Sequence, residues 1–146
     1  MKLRMTSIFG SFCLLLSILL VTTGCKSVQT YPGTRLSSDQ VAKLRCATYY
    51  YFVSVRTCLV QQIDGQTTPD RGTGIDLLPG KHEVIVLLVN MPATQNQRWT
   101  YSRPQTFSFI AVAGHKYTVD GSWFSKEQPI WIVDEQTKEI VAGTKP

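Results

Sequence analysis

The sequence predicts a mainly β protein: a single small antiparallel β-sandwich of six or seven strands, with one short N-terminal helix ahead of them. Three observations lead there. Apolar and polar residues alternate with period two along Val53–Ile63 and again along Thr106–Ala113. Turn-forming groups punctuate the chain at Asp64-Gly65, Leu78-Pro79-Gly80 and Ala113-Gly114. No repeat or low-complexity stretch interrupts the 146 residues, and residues 37–146 amount to one domain large enough for its own core.

Residues 1–24 carry the three zones of a secretory signal peptide. Lys2 and Arg4 form the basic start, Ile8–Val21 an apolar stretch interrupted by Gly10, Ser11 and Ser17, and Thr22-Thr23-Gly24 the small residues of a cleavage zone. The stretch is shorter than the ~20 apolar residues a spanning helix needs. The run Val21-Thr22-Thr23-Gly24-Cys25 resembles a bacterial lipobox, with Thr22 where that pattern prefers Leu. The resemblance implies that Cys25 is the first mature residue and the lipid attachment point, which would anchor the chain to a membrane with the domain facing the periplasm. Lys26, rather than Asp, follows the Cys, and by the same resemblance this favours the outer over the inner membrane.

Residues 25–36 read as a flexible tether, with Tyr31-Pro32-Gly33 as turn punctuation. Ser37–Leu44 reads as the short helix: Ser37 or Ser38 can cap it, Asp39 suits its positive end, and Val41 and Leu44 lie three apart. Strands follow. Along Val53–Ile63, Val53, Val55, Thr57, Leu59 and Ile63 form the more apolar face, and Ser54, Arg56, Cys58, Val60 and Gln62 the other. Gln66–Gly74 reads as a loop and Ile75–Leu77 as a brief strand. Glu83–Val89 is apolar on both parities, which places it centrally with cover on both faces. Asn90–Pro104 is a polar insertion. Thr106–Ala113, His115–Val119, Ile130–Val133 and Glu139–Val141 complete the strands, the last two joined around Glu135-Gln136-Thr137.

Fifteen basic side chains face ten acidic ones; loss of residues 1–24 removes Lys2 and Arg4, leaving 13 against 10. The charges are scattered without a basic stripe, so nucleic acid is not an expected partner. Of the four cysteines, Cys13 belongs to the signal and Cys25 to the anchor. Cys46 and Cys58, in an exported chain, are expected to form a disulfide, with a pair of buried thiols as the alternative.

Catalytic and metal signatures are weak. His82 and His115 each follow a Gly turn, in no metal-ligand spacing, so no metal and no cofactor is expected. Each is expected to bond a backbone carbonyl at a sheet end, and Asp64, Asp76 and Asp134 to bond their own turns. The best binding signal is aromatic: Arg98, Trp99 and Tyr101 in the insertion, and Trp123 in a later loop. Tyr49-Tyr50-Tyr51-Phe52 reads as core and edge packing.

Ile63-Asp64-Gly65, Leu77-Leu78-Pro79-Gly80-Lys81-His82, Ala113-Gly114-His115-Lys116-Tyr117 and Trp131-Ile132-Val133-Asp134 together resemble an uncharacterised family of small proteobacterial lipoproteins with a PEGA-like, transthyretin-like β-sandwich. The resemblance covers about Tyr31 to Gly143. It implies a fold and no catalytic residues. The functional expectation is therefore a non-enzymatic, lipid-anchored envelope module that meets an envelope protein partner. A glycan- or ligand-binding domain using the loop aromatics is the alternative.

Overall fold

The computed structural model describes residues 27–68, 74–94 and 96–146. The signal peptide and Cys25 lie outside them.

Among the described residues, twelve strands form two six-stranded sheets. The first contains, from edge to edge, β1 (Val28–Gln29), β6 (Ile75–Leu77), β2 (Ala42–Cys46), β10 (Lys116–Gly121), β11 (Ile130–Asp134) and β12 (Ile140–Gly143). The second is built on two long central strands, β4 (Ser54–Ile63) and β7 (Gly80–Pro92). On the outer side of β4 lie β3 (Thr48–Tyr51) and β5 (Gln66–Thr67). On the outer side of β7 lie β8 (Thr100–Tyr101) and β9 (Gln105–Ala111). The seven expected strands are all present, in a mainly β fold of two sheets.

The pairing departs from the expected antiparallel arrangement. In the first sheet β1 runs parallel to β6 and β2 parallel to β10, so that sheet is mixed. The reason is connectivity: β3 and β4 pass to the second sheet, so β2 finds its neighbours from later in the sequence.

The expected helix over Ser37–Leu44 does not form. Ser37 instead starts a turn: its carbonyl accepts from Gln40 N–H, and its own N–H and hydroxyl donate to Gln40 Oε1. Residues that cap helices also close turns. After the turn, Ala42 and Leu44 point into the core with no exposure, while Lys43 and Arg45 point out. Core burial decided the conformation over a weak local preference.

The expected tether is also docked over the residues described. Val28 and Gln29 pair with Ile75 and Asp76, Tyr31 is buried, and Arg35 bonds Ser27 and pairs with Asp76. Asp76 was expected in a turn; it lies inside β6, 2% exposed, facing Arg35 and Lys43 at 3.6 and 3.7 Å. A buried carboxylate needs such cations, which explains why the segment carrying Arg35 lies down on the sheet.

The core lies between the sheets. Leu44, Ile75, Leu77, Val119, Ile130 and Ile132 from the first meet Val60, Val84, Val86, Leu88 and Phe109 from the second. Gly121 sits tight against the second sheet: a Cβ there would lie 2.7 Å from Leu88 Cδ2. Along β4 the pairing register shifts between Val60 and Gln62, leaving Gln61 as an extra residue. One extra residue reverses the alternation. Before it, Cys58 and Val60 face the core; after it, Ile63 does. The face carrying Val55 and Leu59, expected to be the buried one, therefore looks outward.

Cys46 on β2 and Cys58 on β4 are joined, with Cα atoms 5.3 Å apart, so the disulfide staples one sheet to the other.

Candidate functional site

The two outer faces of the sandwich differ in chemistry. The first sheet presents a charged network in which Glu135 accepts from Arg45 at 2.6 Å and from Thr118. Bonding to Thr118 and then to Arg45 holds the Glu135 carboxyl below its usual range, against some burial. The second sheet presents apolar rows. Tyr50, Val55 and Met91 are aligned across three strands, and Thr57, Val89 and Tyr101 form the next row. Leu59 and Leu87 follow.

Trp99 and Tyr101 rise beside these rows from the insertion, 57% and 56% exposed. With Tyr50, Val55, Leu59, Val89 and Met91 they line a groove of about 780 Å³. Val89 on its floor is all but buried, whereas Tyr50 on its wall is 82% exposed. The floor is apolar because β7 is apolar on both parities. The expected cover on its second face is this partial aromatic roof.

The same end of the molecule carries the β3–β4 turn. Phe52 is fully exposed and Val53 largely so, and Tyr49, Tyr50 and Tyr51 are exposed too. Of the reading of Tyr49–Phe52 as core and edge packing, the edge half holds and the core half is corrected: β3 is paired on one side only, to β4, and none of these rings is buried. Tyr49 donates its phenol to Asp120 at 2.9 Å, and burial followed by this bond pushes its pKa up to about 12.

Of the residues singled out from the sequence, Trp99 and Tyr101 share the groove, and Arg98 is exposed one residue before it. Trp123 does not join them. Its ring packs against the core and lines a second, smaller pocket on the inner side of the sheet, bordered also by Tyr101. Sequence reasoning missed Tyr50, Val55, Leu59, Val89 and Met91. Their signal was available in the two-sided apolarity of β7, but only the displaced register at Gln61 shows which face of β4 joins it.

The two histidines are held apart from this end, each beside its own carboxylate. His82 Nδ1 lies 2.6 Å from Asp64 and Nε2 2.7 Å from the Leu78 carbonyl, as expected of a sheet-end histidine. His115 Nδ1 meets Asp134 at 2.6 Å instead of a carbonyl. Asp134 accepts the N–H groups of Gln136 and Thr137, the expected turn. Asp64 instead accepts from Glu83 N–H across the strand pair. Among the described residues no three His, Cys, Asp or Glu side chains cluster as metal ligands.

Compared with protein-family models, curated proteins and solved structures, the chain matches none. The resemblance to envelope lipoproteins thus rests on the residues that carry it.

Proposed function

We propose that this protein is a lipid-anchored module of the bacterial envelope that acts without catalysis, binding a protein partner through the aromatic groove of its second sheet. The observation that supports the reading most is the groove itself, an outward apolar floor walled by Tyr50, Trp99 and Tyr101. Monomeric surfaces seldom leave so many large apolar side chains together, and such patches mark interaction sites. The composition fits a protein interface: Tyr, Trp and Met at the centre, with Arg98 and Arg103 exposed nearby. The lipobox-like run ending at Cys25 supplies the membrane attachment and the periplasmic address, with the outer membrane favoured.

A photo-crosslinking amino acid placed at Tyr50 or Trp99 tests this in cells. A discrete adduct with one envelope protein is expected there and not from the same probe at Lys43, on the charged outer face of the other sheet. Equal labelling from both positions, or none, refutes the reading.

The exposed rings of Trp99 and Tyr101 also favour a second reading, stacking on sugar rings of an envelope glycan. Retention on peptidoglycan that disappears with Trp99→Ala and Tyr101→Ala would select it over the first.

A further inference from the structure

The core of the sandwich ends at the Cys58–Leu88 pair. The next inward-facing row is polar: Tyr49, Arg56, Asn90 and Thr100 stand in register across β3, β4, β7 and β8. Above this row lies the loop 122–129. The loop is held by Ser122 N–H to the Pro129 carbonyl, Gln128 N–H to Ser125 and Gln105 Nε2 to the Gln128 carbonyl. Gln128 adopts φ 46°, a left-handed conformation uncommon for a residue other than Gly, Asn or Asp. Row and loop enclose a pocket of about 120 Å³.

Three of its lining residues each carry a buried polar atom with no hydrogen-bond partner among the described residues: Arg56 Nη1, Trp123 Nε1 and Asn90 Oδ1. Buried polar groups are nearly always satisfied, and three orphans in one pocket point to a guest. Its chemistry follows from theirs. Arg56 and the indole are donors only, and Arg56 is a permanent cation. Its guanidinium stacks 4.4 Å from the Phe124 ring centre and 4.9 Å from that of Tyr51, with no carboxylate paired to it among the described residues. A partly buried cation of this kind calls for an anion. Asn90 Oδ1 asks for a donor beside that anion. The volume is well below the ~300 Å³ at which whole-ligand pockets begin, so it suits an end group.

We propose that this pocket binds the terminal carboxylate of a peptide, Arg56 and Trp123 donating to the carboxylate and Asn90 accepting the N–H of the last residue. The site lies on the inner side of the sheet, apart from the groove floor, and does not depend on what fills the groove.

The test uses the full-length chain in detergent micelles with its tryptophans labelled at the indole nitrogen, assigned by Trp123→Phe. The probes are acetyl-Gly-Gly-Ala as the free acid, the same peptide as the C-terminal amide, and sodium acetate. The free acid should move the Trp123 indole signal saturably and leave Trp99 still. The amide and acetate should bind at least about tenfold more weakly, the size expected for a hydrogen bond to a charged group. Arg56→Gln and Asn90→Leu should each weaken the free acid by a similar factor. A Trp123 signal that no carboxylate moves, or that amide or acetate moves as readily, overturns the proposal and assigns the three groups to ordered water. The acid–amide comparison needs no variant, so it decides even if Arg56→Gln fails to fold. Movement of Trp99 alone would speak for the groove and against this pocket.

Discussion

Two side-chain pairs illustrate how single residues tie this molecule together. The Cys46–Cys58 bond closes a short loop, separation 12, between strands of different sheets. In the chain-entropy description such a loop contributes about 3 kcal/mol. Cys46→Ser with Cys58→Ser should therefore lower the free energy of unfolding in urea by roughly that amount, and mass spectrometry of the native protein should find neither thiol free. Asp134 acts through charge. Burial raises its pKa, but the His115 ring and the N–H groups of Gln136 and Thr137 outweigh this and hold it below the ordinary value of 3.8. A carboxyl lowered on folding stabilises above its unfolded pKa and loses that contribution as pH falls through the folded one. Thermal unfolding followed from pH 6 to pH 2.5 should show the melting temperature dropping below about pH 4, and Asp134→Asn should flatten that part of the drop.

Strands were legible where two signals coincided, and misread where one stood alone. Thr106–Ala113 combined alternation with a flanking turn, Ile130–Val133 an apolar run with one, and both formed. Val41 and Leu44, three apart behind Ser37, suggested a helix turn, whereas the strand that forms buries Ala42 with Leu44, two apart. Only the free place between β6 and β10 selects the strand. Two-residue strands such as β1 and β8 carry no period at all. The candidate site was legible by composition, in Trp99 and Tyr101, but not by geometry, because a bulge at Gln61 has no side-chain signature. Close approach of sheets was likewise silent until the core was seen. Gly121→Ala forces a methyl onto Leu88 in a packed interior, and such overpacking costs about 1–3 kcal/mol. A fall in the urea denaturation midpoint equal to that loss divided by the slope, with the slope itself unchanged, is the expected result.

Taken whole, the sandwich is polarised. One end gathers His82, Asp64, His115 and Asp134 in self-contained pairs; the other gathers Tyr50, Tyr51, Phe52, Trp99 and Phe124, all exposed. The aromatic end is the part that the proposed partner would cover. Phe52→Ser with Val53→Thr leaves the core untouched and should raise solubility of the domain without changing its melting temperature by more than about 4 °C, because exposed substitutions away from caps and charges each shift stability within about 0.5 kcal/mol. The same pair should reduce crosslinking from the groove if the partner extends over the β3–β4 turn.

The two residues of β1 bear on how the domain is mounted. Because β1 runs parallel to β6, the chain reaches Val28 from the side of the aromatic end, and Arg35 grips it at Ser27. With lipid on Cys25, only Lys26 separates the anchor from the gripped residue, a span of at most about 7 Å. The lipid then serves as a mount rather than a leash. Lipid there would hold the domain against the bilayer and leave it little freedom to swing away. A partner would arrive by sliding along the membrane plane, and an inserted spacer of ten Gly and Ser residues after Lys26 would release that hold while leaving every contact within the domain intact.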